Sequence, residues 1–222
     1  MRCRTGKNLV TTDALPRRAS DTPLRVVVLI SGGGSNLAAL LDARARPDYP
    51  VAVVAVGADR TSAGGLELAA AQHIPTFVVR VGDFPDRAGW DASLTEHVAA
   101  YAPDLVVSAG FLKLVGPAFL DRFTGRFLNT HNSLLPAFAG THGPADALAY
   151  GVKIAGATLF VVDAGVDTGP IVAQVAVPVE SGDTVDTLTE RIKVAERAQL
   201  VDAIGRMARE GWTISGRTVS IP

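Results

Sequence analysis

The chain has 222 residues, 48% of them apolar and 19% charged, with a formal net charge of -1. That length and apolar content suit one compact domain with at most a small extension, and the near-neutral balance gives no electrostatic case for nucleic acid. The single cysteine, Cys3, excludes an internal disulfide and any cysteine-based metal cluster, and it fits a reducing compartment.

Residues 1–23 are polar, lack periodicity and end at Pro23, which predicts a disordered N-terminal tail. The tail carries several Arg and few acids but lacks the apolar core of a secretory signal. No apolar run reaches the ~18–20 residues of a membrane helix. A cytoplasmic protein with no membrane partner is therefore expected.

Order is expected from Arg25 to Ile30, a continuous apolar run that suits a parallel strand buried on both faces. Ser31-Gly32-Gly33-Gly34-Ser35-Asn36 follows and opens a helix to about Ala45. Strands are then predicted at Val51 to Val56, Thr76 to Arg80 and Leu105 to Ala109. Helices alternate with them at Gly65 to His73 and Arg87 to Tyr101. Such alternation argues for βαβ crossovers and an open parallel sheet. In the second half, strands are predicted at Phe127 to Thr130, Ala157 to Val162 and Ile171 to Val177, the last two as a hairpin-like pair. Helices are predicted at His142 to Tyr150 and Thr184 to Glu210, and two short β pieces at Trp212 to Ser215 and Thr218 to Ile221 close the chain. The fold class is α/β: an open, mostly parallel twisted sheet flanked by helices, Rossmann-like, with mixed strands in the C-terminal half. A single domain over 24–222 is expected.

Three loops carry chemistry. Glycines after the first strand let the backbone turn tightly, and free N–H groups at a helix start attract anions, so phosphate is the natural guest. No Gly-Lys-Ser/Thr ending is present, so this is not a nucleotide P-loop. Leu37 stands where a dinucleotide fingerprint needs its third glycine. A plain tight turn remains the alternative. Asn129 and His131 flank Thr130, and in an extended segment residues two apart face the same side. Asn supplies a neutral donor and His a titratable nitrogen; a structural turn with a hydrogen-bonded His is the competing account. Asp163-Ala164-Gly165-Val166-Asp167-Thr168-Gly169-Pro170 reads as a loop from its Gly and Pro. Asp163 suits an Asx-turn, while Asp167 is the better partner for a histidine. Glu196 falls in the helical stripe of Leu188, Ile192, Ala195, Gln199, Ala203 and Met207. A carboxylate there sits at the edge of the buried face or points into a ligand site, and it needs a partner. Arg87, Lys113 and His142 carry weaker signals, and His73 and His97 are read as helical residues without chemistry.

These motifs, in this order, resemble the phosphoribosylglycinamide formyltransferases, folate-dependent enzymes of purine synthesis. The resemblance covers roughly 24–221. It rests on Val28-Leu29-Ile30-Ser31-Gly32-x-Gly34-Ser35-Asn36-Leu37, Ala102-Pro103-Asp104-Leu105-Val106-Val107-x-Ala109-Gly110-Phe111, Leu128-Asn129-x-His131-x-Ser133-Leu134-Leu135-Pro136 and Asp163-x-Gly165-x-Asp167-x-Gly169-Pro170. The last two are shared with other formyl-folate enzymes, and the glycine-rich segment distinguishes the glycinamide ribonucleotide branch.

The resemblance implies formyl transfer from 10-formyltetrahydrofolate, as co-substrate, to the amine of glycinamide ribonucleotide, without a metal. It implies Asn129, His131 and Asp167 as catalytic residues, with 24–124 as the phosphate-binding half of the domain and 125–222 as the folate-binding and catalytic half. Gly34, Ser35 and Asn36 would hold the substrate phosphate, and Lys193 with Glu196 its ribose part. Arg87, Leu112, Lys113, Leu114 and Val115 would bind the folate, together with Asn129 and the loop Asp163, Ala164, Gly165, Val166 and Asp167. It implies a cis Leu135-Pro136 bond behind His131 and leaves a homodimer open. Asn132 and Ala139 stand where the family usually has Pro, Lys113 where it has Arg, and Phe160 where a His is often seen. The lost prolines are expected to loosen the His131 loop. A formyl-folate hydrolase and a weakly active folate- or nucleotide-binding relative remain as alternatives.

Overall fold

The computed structural model describes residues 22–222. Cys3 and nearly all of the predicted tail lie outside the described residues. The first half is built from β1 (Leu24–Ile30), α1 (Ser35–Ala43), β2 (Val51–Ala58), α2 (Gly65–Ala71), β3 (Thr76–Val78), α3 (Arg87–Ala99), β4 (Leu105–Ser108) and α4 (Pro117–Arg122). The second half adds β5 (Phe127–His131), α5 (Gly143–Tyr150), β6 (Ile154–Val161), β7 (Ile171–Pro178), α6 (Val185–Glu210), β8 (Thr213–Ser215) and β9 (Thr218–Ser220).

One nine-stranded sheet runs in the order β3-β2-β1-β4-β5-β6-β7-β9-β8. Pairing is parallel from β3 through β5, antiparallel for β5–β6 and β6–β7, parallel for β7–β9 and antiparallel for β8–β9. Both faces are covered, which explains the unbroken apolar run of β1. Val26, Val28 and Ile30 join the core shared with α1 and the C-terminal turns of α6. Val27 and Leu29 join the opposite core, with Trp90 and Leu94 of α3 and Phe119 and Phe123 around α4. A third cluster packs Leu188 and Ile192 of α6 under Ala147, Ala157 and Val177.

Most predicted elements form within a residue or two of their expected ends. His73 departs from its predicted helix. It sits beyond α2 with φ 56°, in the left-handed turn that leads to β3. β6 starts three residues earlier than its predicted start, because Ile154 to Gly156 pair with Ala176 to Pro178. Gly156 permits that pairing: a Cβ there would lie 2.0 Å from the Val175 carbonyl oxygen. α4 was not anticipated. Pro117 opens it, and the Asp91 carboxylate accepts from the backbone N–H of Gly116 (2.6 Å) and Phe119 (3.2 Å). A capping group 25 residues away leaves no local signature. α6 starts by reciprocal hydrogen bonds between Thr184 and Thr187, and ends at Gly211 with φ 75°.

Candidate active site

The strand order reverses direction at β1. From there the chain goes outward to β2 and β3, then returns to β4 on the other side. The segments leaving the C-terminal ends of β1 and β4 therefore frame the switch-point crevice, the usual ligand position in open α/β sheets, and are tied together by Ser31 N–H to the Gly110 carbonyl (3.1 Å) and Leu112 N–H to the Ser31 hydroxyl (2.9 Å). Ser31 to Gly34 leaves β1, and the strap Leu112–Val115 follows β4.

The glycine-rich loop turns into α1 through Gly34, whose φ is 78°. A Cβ there would come 2.8 Å from Gly65 Cα, so only glycine fits where the two loops touch. No side chain caps α1, and no acid lies in its first turn. That leaves a helix start of the kind that receives an anion. Asn36, in the same turn, is buried. Its Nδ2 donates to Glu196 Oε1 at 2.7 Å and to Thr130 Oγ1 at 3.4 Å. Glu196 is thus neither at a solvent edge nor unpaired: α6 brings it across 160 residues to the glycine loop. Lys193, one turn earlier, pairs with Glu190 at 2.7 Å and is half exposed.

β5 presents Asn129 and His131 on one face and Thr130 on the other, where Asn36 meets it. His131 is 7% exposed. Its Nε2 donates to the Phe138 carbonyl at 2.9 Å, which places a proton on that nitrogen because a carbonyl only accepts. Nδ1 lies 3.8 Å from Asp167 Oδ2. That is an electrostatic approach longer than a direct hydrogen bond. Asp167 has φ 54°, and its Oδ2 accepts from Gly140 N–H at 2.8 Å. Asp163 serves its own loop by accepting from Gly165 N–H at 3.0 Å and the Thr168 hydroxyl at 2.7 Å.

The loop behind His131 is held in spite of Asn132 and Ala139. Ser133 donates to the Ala137 carbonyl. Buried Thr158 donates to Ser133 O and accepts from Leu135 N–H, and Gln174 Nε2 donates to Leu135 O at 2.8 Å. The Leu135-Pro136 bond is cis. Thr158 of β6 and Gln174 of β7 thus brace the segment in which the prolines are lost. Phe160 lies opposite Asn129 in the β5–β6 register and is buried, so an apolar wall stands beside that amide.

On the far side of the crevice the strap shows Leu112 (72% exposed) and Leu114 (68% exposed). Arg87 donates to the Leu114 carbonyl, and its guanidinium lies 4.3 Å above the Trp90 ring. Asp59, at the end of β2, pairs with Arg60 and Lys113. Burial alone would raise its carboxyl, but hydrogen bonds from Arg60, Ser31 and Lys113 outweigh that and hold it below the ordinary value. Sequence reasoning missed Asp59, Asp91, the Phe138 carbonyl and the Gly140 N–H. The two aspartates look like surface charges in a linear reading, and backbone groups carry no residue signal.

A site of this composition, an amide and an imidazole facing one side with a carboxylate behind, has the donors to polarise a carbonyl without a covalent intermediate. A formyl transferase family model matches residues 24–204. The chain belongs to the formyl transferase family. It is 58% identical to the phosphoribosylglycinamide formyltransferase of Mycobacterium tuberculosis over 199 residues, 90% of this chain and 92% of that one. Glycinamide ribonucleotide transformylase 1 from Symbiobacterium toebii has a similar structure, with TM-score 0.86, 44% identity, and 90% of this chain and 94% of that one covered. The phosphoribosylglycinamide formyltransferase of Coxiella burnetii gives TM-score 0.85 at 32% identity, covering 90% and 93%. Among the described residues no group of three or more His, Cys, Asp or Glu side chains is placed to hold a metal, and no helix is long and apolar enough to cross a membrane.

Proposed function

We propose that this chain transfers the formyl group of 10-formyltetrahydrofolate to the primary amine of glycinamide ribonucleotide, a step of purine biosynthesis. The observation that carries this reading is the pairing of His131 with Asp167 at the end of β5, beside Asn129. Supporting it are the uncapped, glycine-framed start of α1 and the exposed leucines of the strap. The helix start suits the substrate phosphate, through Gly34, Ser35 and Asn36. Glu196, with Lys193 at the rim, suits ribose hydroxyls. Leu112 and Leu114 fit the flat face of an aromatic ring, and backbone groups of the strap and of the loop Asp163–Asp167, apart from the Leu112 and Gly165 N–H and the Leu114 carbonyl, suit its polar edge. Arg87 braces this side. Each half of the chain thus serves both ligands, with 24–124 giving the phosphate loop and the strap, and 125–222 giving Glu196 and the catalytic set.

The folate supplies a formyl carbon on a nitrogen that can leave. Asn129 Nδ2 and the His131 imidazolium donate to the formyl oxygen as the amine attacks and negative charge builds there. Asp167 lies 3.8 Å from Nδ1 and accepts from the Gly140 N–H, which fixes the carboxylate beside the ring. Nε2–H stays on the Phe138 carbonyl, so Nδ1 is the ring position left to exchange a proton. The proton lost by the amine must reach the departing nitrogen, through Nδ1 or water.

Turnover of 10-formyltetrahydrofolate by the purified protein, with and without glycinamide ribonucleotide, tests the reading. Acceptor-dependent turnover supports it. Formate release that ignores the acceptor would make the chain a hydrolase instead, and binding of both ligands without turnover would make it an inactive relative.

A further inference from the structure

The strap places its side chains in an order opposite to that of an ordinary surface. Leu112 and Leu114 face outward, 72% and 68% exposed, while the charged Lys113 between them turns inward, its side chain 31% exposed. Successive residues of an extended segment point to opposite sides, so whatever draws Lys113 in also turns the two leucines out. The group that draws it is Asp59, whose side chain is 2% exposed and whose Oδ2 lies 3.2 Å from Lys113 Nζ. Ser31 adds a second tie. Its hydroxyl donates to the same carboxylate and accepts the Leu112 N–H at 2.9 Å. Arg60 closes the carboxylate at 2.9 Å. A buried carboxylate that loses its cation is left in a costly environment, so the pair holds itself together.

We propose that Asp59 is a positioning residue for the formyl-folate: by holding Lys113 inward it sets the register in which Leu112 and Leu114 face the crevice. Lys113 then acts as a tether and not as a counter-charge for the carboxylates of the folate. The same carboxylate reaches the sheet edge through Ser31, which anchors the strap there, while the Gly34–Asn36 turn keeps its own contacts with Gly65 and Glu196. This inference rests on the reading that the strap is the folate side.

The test compares wild type with Asp59→Asn, Lys113→Met, the double variant and Lys113→Arg. KM and kcat are measured for each substrate, using formyl-folate with one or several glutamates. Acceptor-dependent turnover by wild type checks the functional reading separately; should wild type lack it, direct calorimetric binding of formyl-folate makes the same comparison. Either single variant is expected to raise the formyl-folate KM roughly tenfold, as a charge-assisted hydrogen bond is lost, with the amine-substrate KM within about twofold. The double variant should be no worse than either single one, Lys113→Arg should recover most of the affinity that Lys113→Met loses, and the ratios should not depend on glutamate number. A Lys113→Met defect that grows with glutamate number while Asp59→Asn binds normally would overturn the proposal. So would equal rises in both KM values. If Asp59→Asn does not fold, the Met and Arg variants at Lys113 carry the same comparison.

Discussion

Nε2 of His131 is occupied by the Phe138 carbonyl, and Nδ1 looks toward Asp167 at 3.8 Å. This division decides what the residue can do. The imidazole is oriented by the backbone, and its reactive side is the one facing the carboxylate. His131→Ala removes a donor to the developing oxyanion, so kcat is expected to fall on the order of 100–1000-fold. Substrate affinity, measured by equilibrium titration, should hold, because both ligands have their own contacts elsewhere. An unchanged kcat would remove His131 from the mechanism. At this scale the candidate site was largely legible: Asn129, His131 and Asp167 stand out by residue type and spacing, and the Asx-turn assignment of Asp163 is met by its bonds to Gly165 and Thr168. The sequence did not reveal Asp59. An aspartate after an apolar strand looks like any loop charge until Lys113, 54 residues later, is folded against it.

At the scale of elements, the turn between β7 and α6 carries a measurable charge effect. Asp183 receives both guanidinium nitrogens of Arg191, at 2.7 and 2.8 Å, and its carboxyl is held well below the usual range, first by those bonds and then by the Glu180 N–H. A carboxyl depressed by folding stabilises the native state above its unfolded value of about 3.9 and loses that contribution as pH falls below it. Asp183→Asn should therefore lower the melting temperature at neutral pH. Its deficit relative to wild type should shrink as the pH drops through the acid range. A deficit independent of pH would show that the carboxylate charge plays no part. Element positions followed from periodicity because both cores select strictly: β1 alternates its residues between two faces, and each face rejects a polar intruder. α4 escaped because its start is satisfied by Asp91, a tertiary partner rather than a local cap.

At the scale of the molecule, the proposed ligand site lies where the sheet order reverses, and its two walls are the segments that leave β1 and β4. A ligand that bridges those walls binds the folded chain and not the unfolded one. Each substrate at about 100 times its dissociation constant is then expected to stabilise by roughly 2.7 kcal/mol, and the two together by about the sum. Thermal unfolding with each ligand and with both measures this. A melting temperature that neither ligand moves would argue against the crevice as the binding place.

Composition, periodicity and loop chemistry determined the fold class and the order of strands along the chain and singled out Asn129, His131 and Asp167, whose catalytic roles the family resemblance implied. These depend on local features: a two-residue period, glycines at turns, and residue types at short spacing. Only the tertiary structure decided which distant residues meet. It brought Glu196 to Asn36, the Phe138 carbonyl to His131, and Asp59 to Lys113. Those contacts arise from strand order and crossovers. A side chain's partner across 50 or 160 residues leaves no mark on its neighbours in sequence, because the energy that fixes it comes from burial shared with the other element.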